Sequence, residues 1–217
     1  MENRGRAREL AAAYVAKGDP TGWFEQLYRE AEAGESVVPW ADRQPNPNLI
    51  DFWNRHSIPS SKTALVIGCG LGDDAEQLAG WGFETTAFDI SPAAIEACNR
   101  RFPKSRVRYE TANLFCPFPQ WFANFDFVFE SYTLQVLPRA LRKEAMKCMA
   151  CLVKMGGHLL VIARGKDAHE AEGSMPWPLT RDELAELENF GLREISFEDY
   201  MDQEKLPVRR FRALYRA

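Results

Sequence analysis

Long apolar runs are missing from this sequence, and none approaches the roughly 20 residues a helix needs to cross a bilayer. Positive charge is not in excess either. Lys and Arg number 27 against 31 Asp and Glu, a formal net charge of −4, so the basic face of a DNA- or RNA-binding chain is not expected. Cysteine is sparse and odd in number, five residues without the spacing of a disulfide framework, which suits a reducing compartment. The close pair Cys148-x-x-Cys151 has no second pair to complete a zinc site and falls in a helical pattern, so it reads as two small core residues. No metal site is expected. The opening Met1-Glu-Asn-Arg-Gly-Arg6 lacks an apolar signal core, and a cytoplasmic location is expected. Internal repeats and low-complexity tracts are absent.

What is present points to one core. A chain of 217 residues that is 46% apolar is most simply a single domain. Its organising stretch is Thr63-Ala-Leu-Val-Ile-Gly-Cys-Gly-Leu-Gly-Asp-Asp74. The run Ala64 to Ile67 reads as a buried parallel strand, stopped by Gly68, Gly70 and Gly72 and followed by a helical pattern. Strand, glycine loop and helix bring bare backbone and a helix N-terminus against a nucleotide-like ligand. Cys69 inside the loop reads as a small residue in a tight place. A second strand, Glu84 to Phe88, ends on Asp89, with Ile90 beside it; a carboxylate there can accept both hydroxyls of a ribose.

A dinucleotide fingerprint Gly-x-Gly-x-x-Gly beginning at Gly68 would need glycine where this chain has Asp73, and Asp73 and Asp74 would repel a pyrophosphate. A ligand with a ribose, no phosphate and a positive charge fits better, as S-adenosylmethionine does.

The rest of the chain alternates. Helices are expected over Arg6 to Lys17, from Asp19-Pro20 through Trp23, Phe24, Leu27, Tyr28 and Ala31, and over Leu49 to His56. The second has an aromatic face that serves equally as packing or as a lid. Between them, the proline-stiffened loop Gly34 to Asn48 carries Trp40, Asp42 and Arg43, a possible wall over a pocket. Ser91-Pro92 should cap a helix to about Phe102; strands follow at Val107–Glu110, Phe125–Glu130 and His158–Arg164, with a helix over Arg139–Val153. Glu130, Ser131 and Tyr132 leave the carboxyl end of the fourth strand and should face the ligand. Thr180 with Glu183 forms a capping box, and Gly191–Tyr200 and Leu206–Tyr215 read as a closing hairpin. Arg209, Arg210, Arg212 and Arg216 in that last strand read as a solvated face.

This pattern is a doubly wound α/β sheet. With its Gly68-Cys-Gly-x-Gly-x-Asp74 loop, Asp89, Asn113-Leu114, Phe125 to Pro138 and Leu152 to Ile162, it resembles the class I methyltransferases over roughly residues 60 to 215. That fold is Rossmann-like, with seven strands, the last antiparallel, and helices on both faces. Trp23-x-x-x-Leu27-Tyr28, Val38-Pro-Trp40, Glu130-Ser-Tyr132 and Gly173-Ser-Met-Pro-Trp-Pro178 narrow the resemblance to the thiopurine methyltransferase-like branch, which includes thiol and halide methyltransferases. The resemblance implies an N-terminal helical lid (residues 1–58) over a core (59–217), with Trp23, Leu27 and Trp40 covering the cofactor. It also implies that Asn113 accepts from the adenine amino group. The acidic residue that many class I members carry two positions before the first loop glycine is Val66 here.

The expected activity is methyl transfer by in-line displacement to a small-molecule acceptor, a sulfur or other soft nucleophile that needs no strong base. The Asn/Asp-Pro-Pro-Tyr/Phe signature of amino- and amide-methylating relatives is replaced by Glu130-Ser-Tyr-Thr133, and of the three histidines only His169 falls in a plausible loop. Trp40, Tyr132 and Trp177 would form an aromatic pocket that also favours a sulfonium, and Arg43 or Arg164 would orient an anionic group. A nicotinamide-dependent oxidoreductase, a non-catalytic S-adenosylmethionine-binding protein and an RNA or protein methyltransferase stand as alternatives. The chain is expected to be a monomer or homodimer.

Overall fold

The computed structural model describes residues 4–56, 62–204 and 206–217. The boundary expected at 58/59 lies outside the described residues.

The core is one seven-stranded sheet. In chain order the strands are β1 (Thr63–Ile67), β2 (Glu84–Asp89), β3 (Arg108–Thr111), β4 (Phe125–Ser131), β5 (Val153–Arg164), β6 (Arg193–Met201) and β7 (Arg209–Arg216). They lie in the order β3-β2-β1-β4-β5-β7-β6. The first five pair in parallel, and β7 runs antiparallel between β5 and β6. The helices are α1 (Gly5–Ala16), α2 (Trp23–Glu32), α3 (Pro47–Arg55), α4 (Asp73–Gly80), α5 (Pro92–Arg101), α6 (Arg139–Leu152) and α7 (Arg181–Ala185).

The apolar run of β1 follows from burial on both faces. Leu65 and Ile67 join Val128, Leu159, Val161 and the α6 residues Ala145, Met146 and Met149. Ala64 and Val66 point the other way, to Phe127, Phe129, Leu160, the α4 residues Ala75 and Leu78, and Leu49 and Phe52 of α3. Strand order reverses beside β1, between β2 and β4, so a crevice opens at the carboxyl ends of these strands.

Several boundaries move for local reasons. The helix expected from Asp19-Pro20 begins at Trp23, because the Asp19 carboxylate accepts from Gly22 N at 2.8 Å and holds a turn ahead of it. α3 begins at Pro47, since the Asn46 side chain accepts from Asn48 N at 2.9 Å and caps it. β5 starts at Val153, five residues before the expected His158, where an irregular register lets Val153 pair with Phe125. The capping box at Thr180 and Glu183 forms, over the short α7.

The arginines of β7 require a correction. Arg210 and Arg212 are not solvated: each is 2% exposed. Strand β7 has both edges paired, and α3 covers the face that carries Arg212. Arg212 donates to Asn48 O at 2.7 Å, to Asp51 at 2.9 Å and to Glu198 at 2.8 Å. Arg210 donates to Asp202 at 2.7 Å and to Glu204 at 2.6 Å.

Candidate functional site

The crevice is a cavity of about 730 Å³. Its floor is the glycine loop from Gly68 to Leu71, whereas Gly72, expected at the ligand, is off the wall and packs against Tyr109 and Cys98. Gly68, Gly70 and Gly72 have φ of 60°, 54° and 89°, a left-handed backbone that side-chain-bearing residues rarely adopt. Crowding adds to the requirement: a Cβ on Gly68 would stand 2.6 Å from Thr133 Oγ1, and one on Gly70 3.0 Å from the Tyr28 hydroxyl. The loop folds back on β2, with Cys69 N donating to Phe88 O at 2.9 Å.

Asp89 ends β2 beneath this loop. Its Oδ2 accepts from Gly70 N at 3.0 Å and its Oδ1 from Ser91 N at 2.9 Å. Burial raises its carboxyl to about 6, against the pull of the Ser91, Gly70 and Ile90 amides. Asp74 is likewise raised to about 6 by burial, and accepts from Asn46 N at 2.7 Å. Asp73 is paired with Arg101 through two contacts of 2.7 Å. The Cys69 thiol is pushed well up by its hydrogen bond with Cys98 and by burial, so it stays protonated at neutral pH.

Aromatic rings close one side. Phe24 and Tyr28 of α2 and Trp40 of the proline-rich loop line the cavity. The Trp40 indole N–H donates to the Tyr28 hydroxyl at 3.1 Å, with the rings edge-on at 6.3 Å. Trp23 and Leu27, expected here, are fully buried and off the cavity wall. They pack with Ala7, Leu10 and Ala11 of α1 and with Met175, and the Trp23 indole donates to Pro20 O at 3.1 Å. The correction is one residue around the helix. Positions 23 and 27 share one line of α2 and 24 and 28 the next, and α1 covers the first line. Ile90, Ala112 and Leu114 give the adjoining wall apolar surface, and Asn113 lies on it with Oδ1 accepting from Phe115 N at 2.9 Å.

The opposite half is built from the ends of β4 and β5. Ser131 and Tyr132 line it. Asn46 donates to Ser131 Oγ at 3.2 Å, and Asn48 to the Tyr132 hydroxyl at 3.1 Å. Glu130 does not face the cavity as expected; it is fully buried. One carboxylate oxygen accepts from Thr133 N at 2.6 Å and Leu134 N at 3.0 Å and so shapes the turn that carries Ser131 and Tyr132. The other is buried without a partner, and burial raises the group to about 7.

Arg164, at the end of β5, lines the cavity. Its backbone N–H is fixed by Gln135 Oε1 at 2.7 Å, while its Nε is buried with no hydrogen-bond partner. Burial, then the charges of Arg4 and Arg210, press the guanidinium down to about 10. Arg43, with a left-handed φ of 54°, is exposed and off the wall. Trp177 is off the wall too and packs against the cluster of Trp23, Leu27 and Met175, while its N–H donates to Gln135 O at 2.7 Å and its carbonyl accepts from Arg142 at 3.1 Å; its neighbours Met175 and Pro176 line the cavity instead. His169 does not reach it, and no histidine or lysine lines it among the described residues. Phe24, Asn46, Asn48, Arg4 and Arg8 join the wall without having been expected there. Asn46-Pro-Asn48 carried a detectable helix-cap signal, but nothing that tied it to a ligand.

A family model for thiopurine S-methyltransferase matches residues 29–214. The thiopurine S-methyltransferase of Aliivibrio salmonicida is 23% identical over 177 residues, covering 76% of this chain and 83% of that protein. A counterpart from Aliivibrio fischeri is 22% identical over the same shares. Among solved structures, one described for the conversion of a disulfide bond into a thioacetal group during echinomycin biosynthesis superposes with a TM-score of 0.73 at 18% identity, covering 89% of this chain and 91% of that one. The N-methyltransferase NodS from Bradyrhizobium japonicum, in complex with S-adenosyl-L-homocysteine, gives 0.67 at 19% identity over 88% of this chain and 98% of that one. These structural likenesses show a shared fold. Among the described residues no helix is long and apolar enough to cross a membrane.

Proposed function

The chain belongs to the thiopurine S-methyltransferase family, and from that premise we propose that it is an S-adenosylmethionine-dependent methyltransferase whose small-molecule acceptor is a sulfur or other soft nucleophile. The carrying observation for the cofactor is the buried Asp89 carboxylate, held by the Gly70 and Ser91 amides against a cavity with an aromatic wall. Each oxygen keeps a lone pair for a ribose hydroxyl. Gly68 and Gly70 line the cavity with bare backbone that a ligand can approach closely. Ile90 and Leu114 offer apolar cover for an adenine, and Asn113 a polar edge. Tyr28 and Trp40 present ring surface that favours a positive sulfonium. When bound, S-adenosylmethionine supplies a methyl group that is already activated.

The residues therefore have to orient the acceptor and exclude water, and positioning carries much of the rate. A soft acceptor is supported by the shortage of free bases on the wall, where among the described residues Asp42, exposed to solvent, is the one carboxylate without a hydrogen-bond or ion-pair partner. The buried carboxylates Asp89 and Asp74 are engaged by amides. Tyr28 and Tyr132 are raised by burial and stay protonated at neutral pH, and no histidine or lysine lines the wall among the described residues. A thiolate or similar polarisable anion needs no proton removed in the transfer. Ser131 and Tyr132, at the end of β4, flank its place.

The test is calorimetric titration of wild type and Asp89→Ala with S-adenosylmethionine, S-adenosylhomocysteine and NADH. Binding of both adenosyl ligands, weakened at least tenfold in the variant, is expected; binding of NADH alone would sink the cofactor assignment. Methyl transfer is then scored on thiols, halides, alcohols and amines. Turnover confined to alcohols or amines would sink the soft acceptor.

A further inference from the structure

Resting on that functional reading, we propose that Arg164 is a specificity-determining residue that grips an oxyanion of the acceptor, a carboxylate separate from its reacting atom. The acceptor class is thus a small thiol that also bears a carboxylate.

The cavity treats its arginines unequally. Arg210, with its guanidinium 4.5 Å above the Tyr132 ring, is satisfied by Asp202 at 2.7 Å and Glu204 at 2.6 Å. Arg8 donates to Met175 O at 2.6 Å. Arg164 has no such arrangement: its Nε is buried and unpartnered. The carboxylate that counters its charge from a distance, Glu204, is the one paired with Arg210. A buried guanidinium N–H without an acceptor is costly, and native proteins leave few of them. A planar carboxylate can take two parallel N–H bonds from an arginine fork, which fixes its orientation as well as its position.

Position agrees with this role. β5 lies next to β4, so the end of β5 stands beside Ser131 and Tyr132, on the far side of β1 from the Asp89 half of the site. Gln135 holds the Arg164 backbone at 2.7 Å, so the side chain springs from a fixed root. Arg4 lines the same cavity and adds positive charge near Arg164, which lowers the cost of bringing in an anion and raises that of a cation.

The experiment compares mercaptoacetate with mercaptoacetamide, which share size and thiol and differ in charge. Binding of each is measured calorimetrically with the S-adenosylhomocysteine complex, and kcat and KM for each with S-adenosylmethionine. Wild type is expected to bind the acid at least tenfold more tightly than the amide, with the difference appearing in KM. Arg164→Ala is expected to lose that preference while its affinity for S-adenosylhomocysteine stays within about twofold. Arg164→Lys, which keeps the charge and loses the fork, is expected to recover part of it. Equal binding of acid and amide by wild type, or a preference that survives in Arg164→Ala, overturns the proposal. If S-adenosylhomocysteine does not bind at all, the methyltransferase reading has failed; the same two thiols titrated into the protein alone then judge the Arg164 subsite by the same criterion.

Discussion

At the scale of single residues, the two halves of the site differ in how their buried carboxylates are used. Asp89 accepts from two amides and sits at about 6 because of burial. Its ionised form is the one that accepts from ribose hydroxyls, so affinity for S-adenosylhomocysteine should fall as pH drops through about 6. Asp74 titrates in the same window, so the decisive comparison is Asp89→Asn: its weaker binding should vary far less between pH 5 and pH 8 than that of wild type. Glu130 has the opposite character, with one oxygen capping the turn and the other stranded. Burial raises it from 4.5 to about 7. Its folded form holds a proton that the unfolded form has released, so stability is full below 4.5, falls as pH rises to about 7, and stays low above that. Glu130→Gln keeps an oxygen for the Thr133 and Leu134 amides and removes the charge. Thermal melts should find the variant more stable than wild type at pH 8, by roughly 2 kcal/mol, with the gap closing towards pH 5. An unchanged gap would mean that Glu130 is not the group that titrates.

At the scale of elements, the N-terminal helices are joined to the core by several side chains, among them Arg8 on Met175 O, Arg29 with Glu96, Glu32 with Arg100, and Glu25. Glu25 of α2 accepts from Ser91 Oγ at 2.6 Å and from Ala93 N at 3.0 Å, at the start of α5, where the helix dipole favours a carboxylate. Ser91 also donates its backbone N–H to Asp89, so one tether joins the aromatic wall to the ribose-side carboxylate. Glu25→Ala should cost about 1–2 kcal/mol of local stability. It should speed amide exchange in α1 and α2 about tenfold or more and weaken S-adenosylhomocysteine binding; exchange unchanged there would show that the Glu25 contacts add nothing to the hold of the other contacts on α1 and α2. This tether explains what the sequence could disclose. The glycine loop, Asp89 and the strand alternation are local patterns, set by backbone chemistry within a few residues, and they were legible. The family resemblance places Trp23 and Leu27 on the wall that Phe24 and Tyr28 form, and the aromatic helix does not itself announce which line a distant helix will cover. Glu130 is expected at the ligand because it stands at the carboxyl end of a strand, but that place does not disclose the turn whose amides its carboxylate caps. Arg164 was singled out, but its missing partner was visible only once the partners of Arg210 were known.

At the scale of the whole molecule, buried arginines join elements far apart in the chain. Arg212 ties β7 to Asn48 and Asp51 of α3 and to Glu198 of β6, and these flank the cavity through Asn48 and Tyr132. Such pairs contribute little over an apolar alternative, yet removing one partner leaves the others stranded. Asp51 and Glu198 can turn partly to solvent, with side chains 57% and 27% exposed, so Arg212→Leu should cost about 2 kcal/mol, a fall in Tm of roughly 4–8 °C. A calorimetric scan with no fall would show the network to be dispensable. The place of β7 carries a further consequence, for synthesis. β6 leaves the ribosome before β7, yet β7 is its strand partner in the sheet. Until residues 209–216 arrive, β5 presents an open edge and β6 waits unpaired, the kind of exposed strand that invites association between nascent chains. Strands β1 to β5 can pair as they are made; the sheet, and the part of the cavity wall that Tyr200, Asp202, Glu204 and Arg210 supply, closes only afterwards, when a later strand is threaded between two earlier ones.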